Sequence, residues 1–154
     1  MILPKIEFKE LKETDIKSLS MLMMKEEYDY NKYFIPFSFD EASIKNEIMS
    51  SINDIYYGVF LNNFLVGFYM LRGFDKGFNI PSYGVWISSK YSRKGISKLT
   101  LQHAITTCKL LGVKKIMLKV HPHNLVAKSI YVSFGFKEIG LDERINNIVY
   151  EKDI

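Results

Sequence analysis

The chain has 154 residues, of which 47% are hydrophobic and 14% aromatic, so it suits one folded domain over residues 1–154 rather than a disordered segment. One cysteine, Cys108, allows no disulfide within the chain and no cysteine-based zinc site. No stretch reaches the roughly 20 apolar residues of a membrane span. We therefore expect a cytoplasmic protein that binds no metal and does not associate with a membrane. The net charge of +4, from 21 Lys and Arg against 17 Asp and Glu spread along the chain, permits an anionic ligand without indicating a nucleic acid.

The first half of the chain predicts a strand, two helices and a β-hairpin, in that order, over residues 6–11, 16–23, 41–48, 55–61 and 64–71. Thr14 or Asp15 can cap the first helix, and the segment from Ser38 to Glu41 has the pattern of a capping box before the second. Asn62 and Asn63 join the strands of the hairpin, because asparagine tolerates the positive φ of a tight turn.

The second half alternates strands with helices. The strands are predicted over residues 83–87, 115–120, 136–139 and 147–150, and the helices over residues 95–111 and 125–134. Gly112 and Gly135 follow the two helices, as glycine often does after a helix end. The order β-α-α-β-β-β-α-β-α-β-β predicts an α/β layer fold with strands of mixed direction.

One segment that could bind a ligand runs from Ile87 to Ser97. A strand ends there, a basic turn with Arg93 and Lys94 follows, and a helix begins at Gly95. The free N–H groups and the positive dipole end of a helix N-terminus bind phosphate. A solvated basic turn that happens to precede a helix is the alternative that this segment alone leaves open.

A second segment spans residues 124–136. Taken alone, Asn124 is a helix cap and Tyr131 a packed aromatic side chain. Together, however, the two segments resemble the GNAT (Gcn5-related N-acetyltransferase) family, whose acetyl-CoA pyrophosphate loop follows Q/R-x-x-G-x-G/A and whose later signature is N-x-x-A-x-x-x-Y-x-x-x-G-F. The signature is matched at all of its fixed positions, namely Asn124, Ala127, Tyr131, Gly135 and Phe136. The loop departs from its pattern at Ser92 and Ser97, and Arg93 is placed to supply the missing cation.

This resemblance implies an α/β (α+β) fold with a central mixed, mostly antiparallel β-sheet of six to seven strands, about four flanking helices and splayed strands at the cofactor site. It implies acetyl-CoA as co-substrate and no metal. The thioester carbonyl is expected against backbone N–H groups around Trp86, Ile87 and Ser88. The residues expected to bind acetyl-CoA are Trp86, Ile87, Ser88, Ser92, Arg93, Lys94, Gly95, Ile96, Ser97, Asn124 and Tyr131.

The resemblance also implies direct attack of an acceptor amine on the thioester, with Tyr131 as the general acid for the leaving thiolate. The base is less well defined, because residues 81–88 contain no carboxylate. Lys119 stands where ribosomal-protein acetylating members carry Glu, which argues against that subclass. His121, Tyr83 or a water chain remain, and His121 is the candidate with the most suitable side chain because imidazole titrates near neutral pH. The alternative is that His121 and His123 are polar residues at the mouth of the splayed strands.

Six aromatic residues within a short stretch are the candidates for acceptor binding: Tyr28, Tyr30, Tyr33, Phe34, Phe37 and Phe39. Aromatic rings and nearby carboxylates suit a ligand with a ring and a protonated amine. We expect Glu27, Tyr28, Tyr33 and Phe34 to contact the acceptor, with an amino sugar or a nucleotide-linked amino sugar as first choice. A polyamine, an antibiotic amine and a peptide N-terminus stay open, and these aromatics could instead pin the helix pair to the sheet.

The sequence therefore predicts an acyl-CoA-dependent N-acetyltransferase that acts on a small-molecule amine as a monomer or homodimer. A peptide or protein N-acetyltransferase is one alternative, and a CoA-binding regulatory protein without turnover is another. A basic nucleic-acid module is a weaker alternative, because no helix-turn-helix, zinc or RNA-binding strand pattern is present.

Overall fold

A single seven-stranded sheet organises the chain, and the computed structural model describes all residues, 1–154. The spatial order is β1-β2-β3-β4-β5-β7-β6, and only β4 and β5 are parallel neighbours. The strands are β1 Ile6–Glu10, β2 Ile55–Leu61, β3 Phe64–Arg72, β4 Ser82–Ile87, β5 Lys115–Val120, β6 Lys137–Asp142 and β7 Asn147–Asp153. This confirms the predicted mixed, mostly antiparallel sheet.

Five α-helices cover the two faces of the sheet: α1 Ile16–Met24, α2 Tyr28–Asn31, α3 Glu41–Met49, α4 Ile96–Leu110 and α5 Leu125–Ser133. Because side chains alternate along a strand, Phe68 and Met70 of β3 pack on the face of α1 and α3. Tyr69 and Leu71 pack on the opposite face with α4. Burial on both faces explains why β3 is almost entirely apolar. None of the helices is both long and apolar enough to cross a membrane.

The sheet opens between β4 and β5. These strands pair only at Ser82 with Met117 and at Tyr83 with Leu118. Beyond that point β4 continues to Ile87 and β5 to Val120 without pairing, so the two strands splay apart. The splay leaves backbone groups of both strands free at the edge of a gap, as the family resemblance predicted.

Most helices and strands were predicted correctly from the sequence, but two local features of the structure differ from the prediction. It did not predict α2, a four-residue helix whose tyrosines follow no apolar period. It also placed the cap of α3 in a box beginning at Ser38, and this was wrong. The N-cap is Asp40, whose carboxylate accepts a hydrogen bond from the Ser43 N–H at 2.9 Å, because Asp40 directly precedes the first helical residue.

Candidate active site

The loop before α4 exposes backbone donors. A 3-10 turn at Ser89–Tyr91 leads from β4 to Gly95, which caps α4 with a φ of +83°. The N–H groups of Arg93, Lys94 and Gly95 have no hydrogen-bond partner within the chain. A Cβ atom added at Gly95 would meet nothing within 4 Å, so a ligand can approach the backbone there. The loop thus fits a phosphate group held by N–H donors at a helix N-terminus.

The predicted side chains of this loop divide into three groups. Arg93 and Lys94 are exposed beside the free N–H groups and add positive charge. The Ser92 hydroxyl donates to the Ser89 carbonyl at 2.8 Å, so its bond lies within the loop. Ile96 is buried and anchors the start of α4, while Ser97 is half-buried beside it.

Glu26, which the sequence analysis did not select, fixes the start of the same loop. Its carboxylate accepts the Ser89 N–H at 2.7 Å and the Ser88 hydroxyl at 3.2 Å. The contact joins the end of α1 to the end of β4, far apart in sequence. No local pattern could have predicted it, because the pairing exists only once the sheet and α1 are packed.

The register of β3 and β4 decides which backbone groups face the gap. The Ser88 N–H donates to the Val66 carbonyl at 2.9 Å, and alternation directs the Trp86 N–H toward its partner Phe68 on β3. The expected roles of the Trp86 and Ser88 N–H groups at the thioester are therefore corrected. Ile87, and Val85 two residues earlier, are the residues whose N–H groups point to the gap.

The carbonyl of Ile87 already has a partner. The Tyr30 hydroxyl, on α2, donates a hydrogen bond to it. Burial, reinforced by the nearby Glu26 carboxylate, raises the pKa of Tyr30 to about 12, so the hydroxyl stays protonated as a donor. This bond places α2 directly over the end of β4.

A cleft of about 880 Å³ runs from the segment after α2, across the gap, to α5. Its lining includes Tyr33, Phe34, Phe78, His121, Asn124 and Tyr131. Two of the four expected acceptor residues, Tyr33 and Phe34, thus lie in the cleft. The other two, Glu27 and Tyr28, do not line it, because α2 turns its first residues outward and leaves Tyr28 81% exposed.

Phe34, Phe37 and Phe39 contact the apolar core of α1 and α3, so these aromatics also pin the segment to the sheet. Phe34 packs edge-on against Phe68 with 5.7 Å between ring centroids. Phe34 therefore belongs to both the core and the cleft wall.

Tyr131 projects from α5 toward the gap. Asn124 caps this helix by accepting the Ala127 N–H at 3.4 Å, as expected from the sequence. Tyr131 is only 9% exposed, and its hydroxyl, which lies at the cleft, has no hydrogen-bond partner in the chain. Burial raises the pKa of this phenol well above its ordinary value, so it is protonated at neutral pH.

Tyr83 lies next to Tyr131, at the last residue where β4 pairs with β5. The two rings are nearly perpendicular, with 6.4 Å between their centroids. Burial raises the pKa of Tyr83 well above its ordinary value. The Tyr83 hydroxyl is therefore a donor rather than the base that the sequence left open.

His121 stands at the acceptor end of the cleft, where its ring stacks on Tyr33 at 4.8 Å between centroids. Its Nδ1 accepts the His123 N–H at 3.1 Å, so the neutral ring carries its proton on Nε2. His121 can accept a proton at Nδ1 only when that contact opens. No three His, Cys, Asp or Glu side chains lie together in a group that could hold a metal ion.

Two groups of charged side chains border the cleft. Lys119 contacts the Asp142 carboxylate at 2.8 Å, and Arg144 contacts the same oxygen at 3.0 Å. These bonds, that of Arg144 foremost, hold the pKa of Asp142 well below its usual range. Across the cleft, Glu47 of α3 accepts the Tyr56 hydroxyl at 3.1 Å and contacts Arg72 at 3.4 Å. Glu47 is thus a carboxylate that lines the cleft. The sequence does not indicate this, because a glutamate on an amphipathic helix is equally compatible with a position facing solvent.

The comparisons with known proteins agree on the fold. The model of the Acetyltransferase (GNAT) family matches residues 19–136. No curated protein matches the chain. A crystal structure of the PaiA N-acetyltransferase from Thermoplasma acidophilum in complex with coenzyme A superposes with a TM-score of 0.81 at 23% identity, covering 97% of this chain and 99% of that chain.

Two further solved structures are similar in fold. The ribosomal-protein-S5-alanine acetyltransferase from Vibrio fischeri has a TM-score of 0.80 at 16% identity, covering 96% of this chain and 92% of that one. The ribosomal L7/L12 α-N-protein acetyltransferase RimL has a TM-score of 0.82 at 16% identity, covering 97% and 90%.

Proposed function

The chain belongs to the GNAT family of acetyltransferases, and on that premise we propose that it acetylates a primary amine of a small molecule by direct transfer from acetyl-CoA. Acetyl-CoA supplies the acetyl group as an activated thioester. One observation carries the proposal: a single cleft connects the strand gap and the buried Tyr131 with His121 and an aromatic wall.

The loop before α4 would hold the pyrophosphate. The free N–H groups of Arg93, Lys94 and Gly95 and those of the first turn of α4 are donors for phosphate oxygens. The side chains of Arg93 and Lys94 add charge. In the gap, the N–H groups of Ile87 and Val85 are the donors for the carbonyl groups of the cofactor.

Tyr131 would act as the general acid. Its protonated hydroxyl stands in the cleft without a partner, so it is free to give a proton to a departing thiolate. His121 would take the proton of the acceptor ammonium, with Nδ1 released from the His123 N–H. Stacking on Tyr33 holds the imidazole at the acceptor end during this exchange.

A small acceptor suits the dimensions and chemistry of the cleft. Its volume of about 880 Å³ lies in the range of small-molecule sites. Tyr33 and Phe34 offer aromatic faces to a ring, and Glu47 offers a carboxylate to an amine. An amino sugar, free or nucleotide-linked, is our first choice of acceptor. We also propose a cytoplasmic location for the enzyme, which suits its single cysteine, Cys108, buried and not in a disulfide.

A peptide N-terminus is the second candidate. Two similar folds belong to acetyltransferases of ribosomal proteins, which argues for it. Lys119, bound to Asp142 at the cleft, argues against it, because the resemblance places a Glu there in the ribosomal-protein acetylating members.

The test combines binding and turnover. Purified protein is mixed with acetyl-CoA, and its thermal stability is recorded together with thiol release against amino sugars, nucleotide-linked amino sugars, polyamines and peptides. We expect stabilisation by acetyl-CoA and turnover of an amino sugar. Stabilisation without turnover of any amine supports a CoA-binding regulatory protein, turnover of peptides alone supports the second candidate, and no stabilisation contradicts the proposed cofactor site.

A further inference from the structure

One buried polar atom in the molecule has no partner. The Tyr83 hydroxyl oxygen is the sole buried side-chain nitrogen or oxygen atom that makes no hydrogen bond, and the residue is 4% exposed. Leaving a buried hydroxyl unpaired costs free energy, so such groups in native proteins call for an explanation. Tyr83 lines the cleft, which indicates that its partner belongs to the working site.

The surroundings of Tyr83 narrow the choice of partner. Its ring neighbours are Tyr69, at 5.9 Å between centroids, and Tyr131, at 6.4 Å. The Tyr69 hydroxyl is already bonded to His103 Nδ1 at 2.8 Å, and neither residue lines the cleft. The Tyr131 hydroxyl is uncommitted and lines the same cleft as Tyr83.

Tyr131 itself needs a donor if it gives up its proton. The phenolate that remains is a charge on a side chain that is only 9% exposed and against which the Phe136 ring packs edge-on, with 5.9 Å between ring centroids. Such a charge is costly unless a hydrogen bond stabilises it. Without a donor, proton transfer from Tyr131 to a thiolate would be unfavourable.

We propose that Tyr83 is a positioning residue for the general acid: its hydroxyl, unpaired in the resting site, donates a hydrogen bond to the Tyr131 oxygen when Tyr131 gives up its proton. The inference rests on the proposed role of Tyr131. The Tyr131 proton passes to the leaving sulfur, the Tyr83 proton stays on Tyr83, and Tyr131 is later reprotonated from solvent. Tyr83 is neither acid nor base in this scheme.

A double-mutant cycle tests the proposal with the acceptor that turns over best. Tyr83→Phe, Tyr131→Phe and the double variant are compared for kcat and melting temperature. We expect Tyr83→Phe to lower kcat by about 10- to 100-fold, as loss of a hydrogen bond to a charged group implies. In the Tyr131→Phe background the same change should have no further effect, because Tyr83 acts through Tyr131.

Stability provides a readout that separates this role from a structural one. Tyr83→Phe removes an unpaired buried hydroxyl, so its melting temperature should equal or exceed that of the wild type while kcat falls. Tyr69→Phe is the matched control: it removes a bonded hydroxyl, should melt lower and should retain kcat.

Three outcomes overturn the inference. An unchanged kcat in Tyr83→Phe shows that its hydroxyl has no role, and equal losses in both backgrounds show that it acts on the ligand independently of Tyr131. If Tyr131→Phe keeps the wild-type kcat, Tyr131 is not the general acid. The inference about Tyr83 then fails because the proposed function assigned the acid wrongly.

Discussion

The indole Nε1 of Trp86 donates a buried hydrogen bond to Asn31 Oδ1 at 2.9 Å, and Asn31 Nδ2 in turn donates to the Met23 carbonyl at 2.7 Å. One side chain therefore ties the end of α1, the short helix α2 and strand β4 together. Because Tyr33 and Phe34 follow directly after α2, this bond also sets the position of the acceptor wall.

The Asn31 bond leads to a first prediction. Asn31→Leu keeps the approximate volume but leaves the Trp86 N–H and the Met23 carbonyl unpaired, so we expect a loss of about 3 kcal/mol in the free energy of unfolding. Urea unfolding measures this. Asn46→Leu, at an exposed position of α3, is the control and should change stability little. A loss below about 1 kcal/mol for Asn31→Leu would show that the two Asn31 hydrogen bonds do not hold α1, α2 and β4 together.

The two glycines that flank α4, Gly95 before it and Gly112 after it, form a matched pair for testing the cofactor site. Gly95 and Gly112 have φ values of +83° and +78°, and a Cβ added at either would meet nothing within 4 Å. Alanine at either position should therefore cost a similar amount of stability, about 1–2 kcal/mol. Only Gly95→Ala places a methyl group against the proposed pyrophosphate, so we expect it alone to weaken coenzyme A binding, by about tenfold or more.

Isothermal titration with coenzyme A measures this difference, and thermal melting checks the matched stability loss. Equal coenzyme A affinity in Gly95→Ala and Gly112→Ala would place the pyrophosphate elsewhere.

The base assignment has its own test. His121→Ala should lower kcat by about 100-fold and flatten the acidic limb of the pH–rate profile, because removing a general base has effects of this size. His123→Ala, on the same loop and exposed, is the control for the loss of an imidazole. A His121→Ala variant that keeps its full rate from pH 6 to 9 would leave a water chain as the route for the proton.

The sequence supplied those parts of the site that depend on local conformation. Gly95 and Asn124 mark helix starts, and the spacing from Asn124 places Tyr131 on the face of α5 that lines the cleft. These features follow from positive φ, capping and helical period, which act over a few residues.

The parts that the sequence did not reveal depend on how distant segments pack. The Trp86 and Ser88 N–H groups were misassigned because their direction follows from the register with β3. Tyr28 was misassigned because the exposed face of α2 is set by its docking on β4. The contact of Glu26 with Ser89 likewise exists only in the folded chain.

A last prediction concerns His103 of α4, whose side chain faces the sheet. Its ring stacks on Phe8 with 4.2 Å between centroids, and its Nδ1 bonds the Tyr69 hydroxyl at 2.8 Å. Burial lowers the pKa of His103, so the folded state favours the neutral ring, whereas the unfolded chain binds a proton near pH 6.5. The unfolded state then binds more protons below that pH, so stability is highest above it and falls as the pH drops toward 5.

We expect His103→Gln to reduce this loss of stability, measured by urea unfolding between pH 8 and pH 5, and the exposed control His123→Gln to retain it. A wild-type stability that does not fall below pH 6.5, or a fall unchanged in His103→Gln, would show that His103 does not carry it.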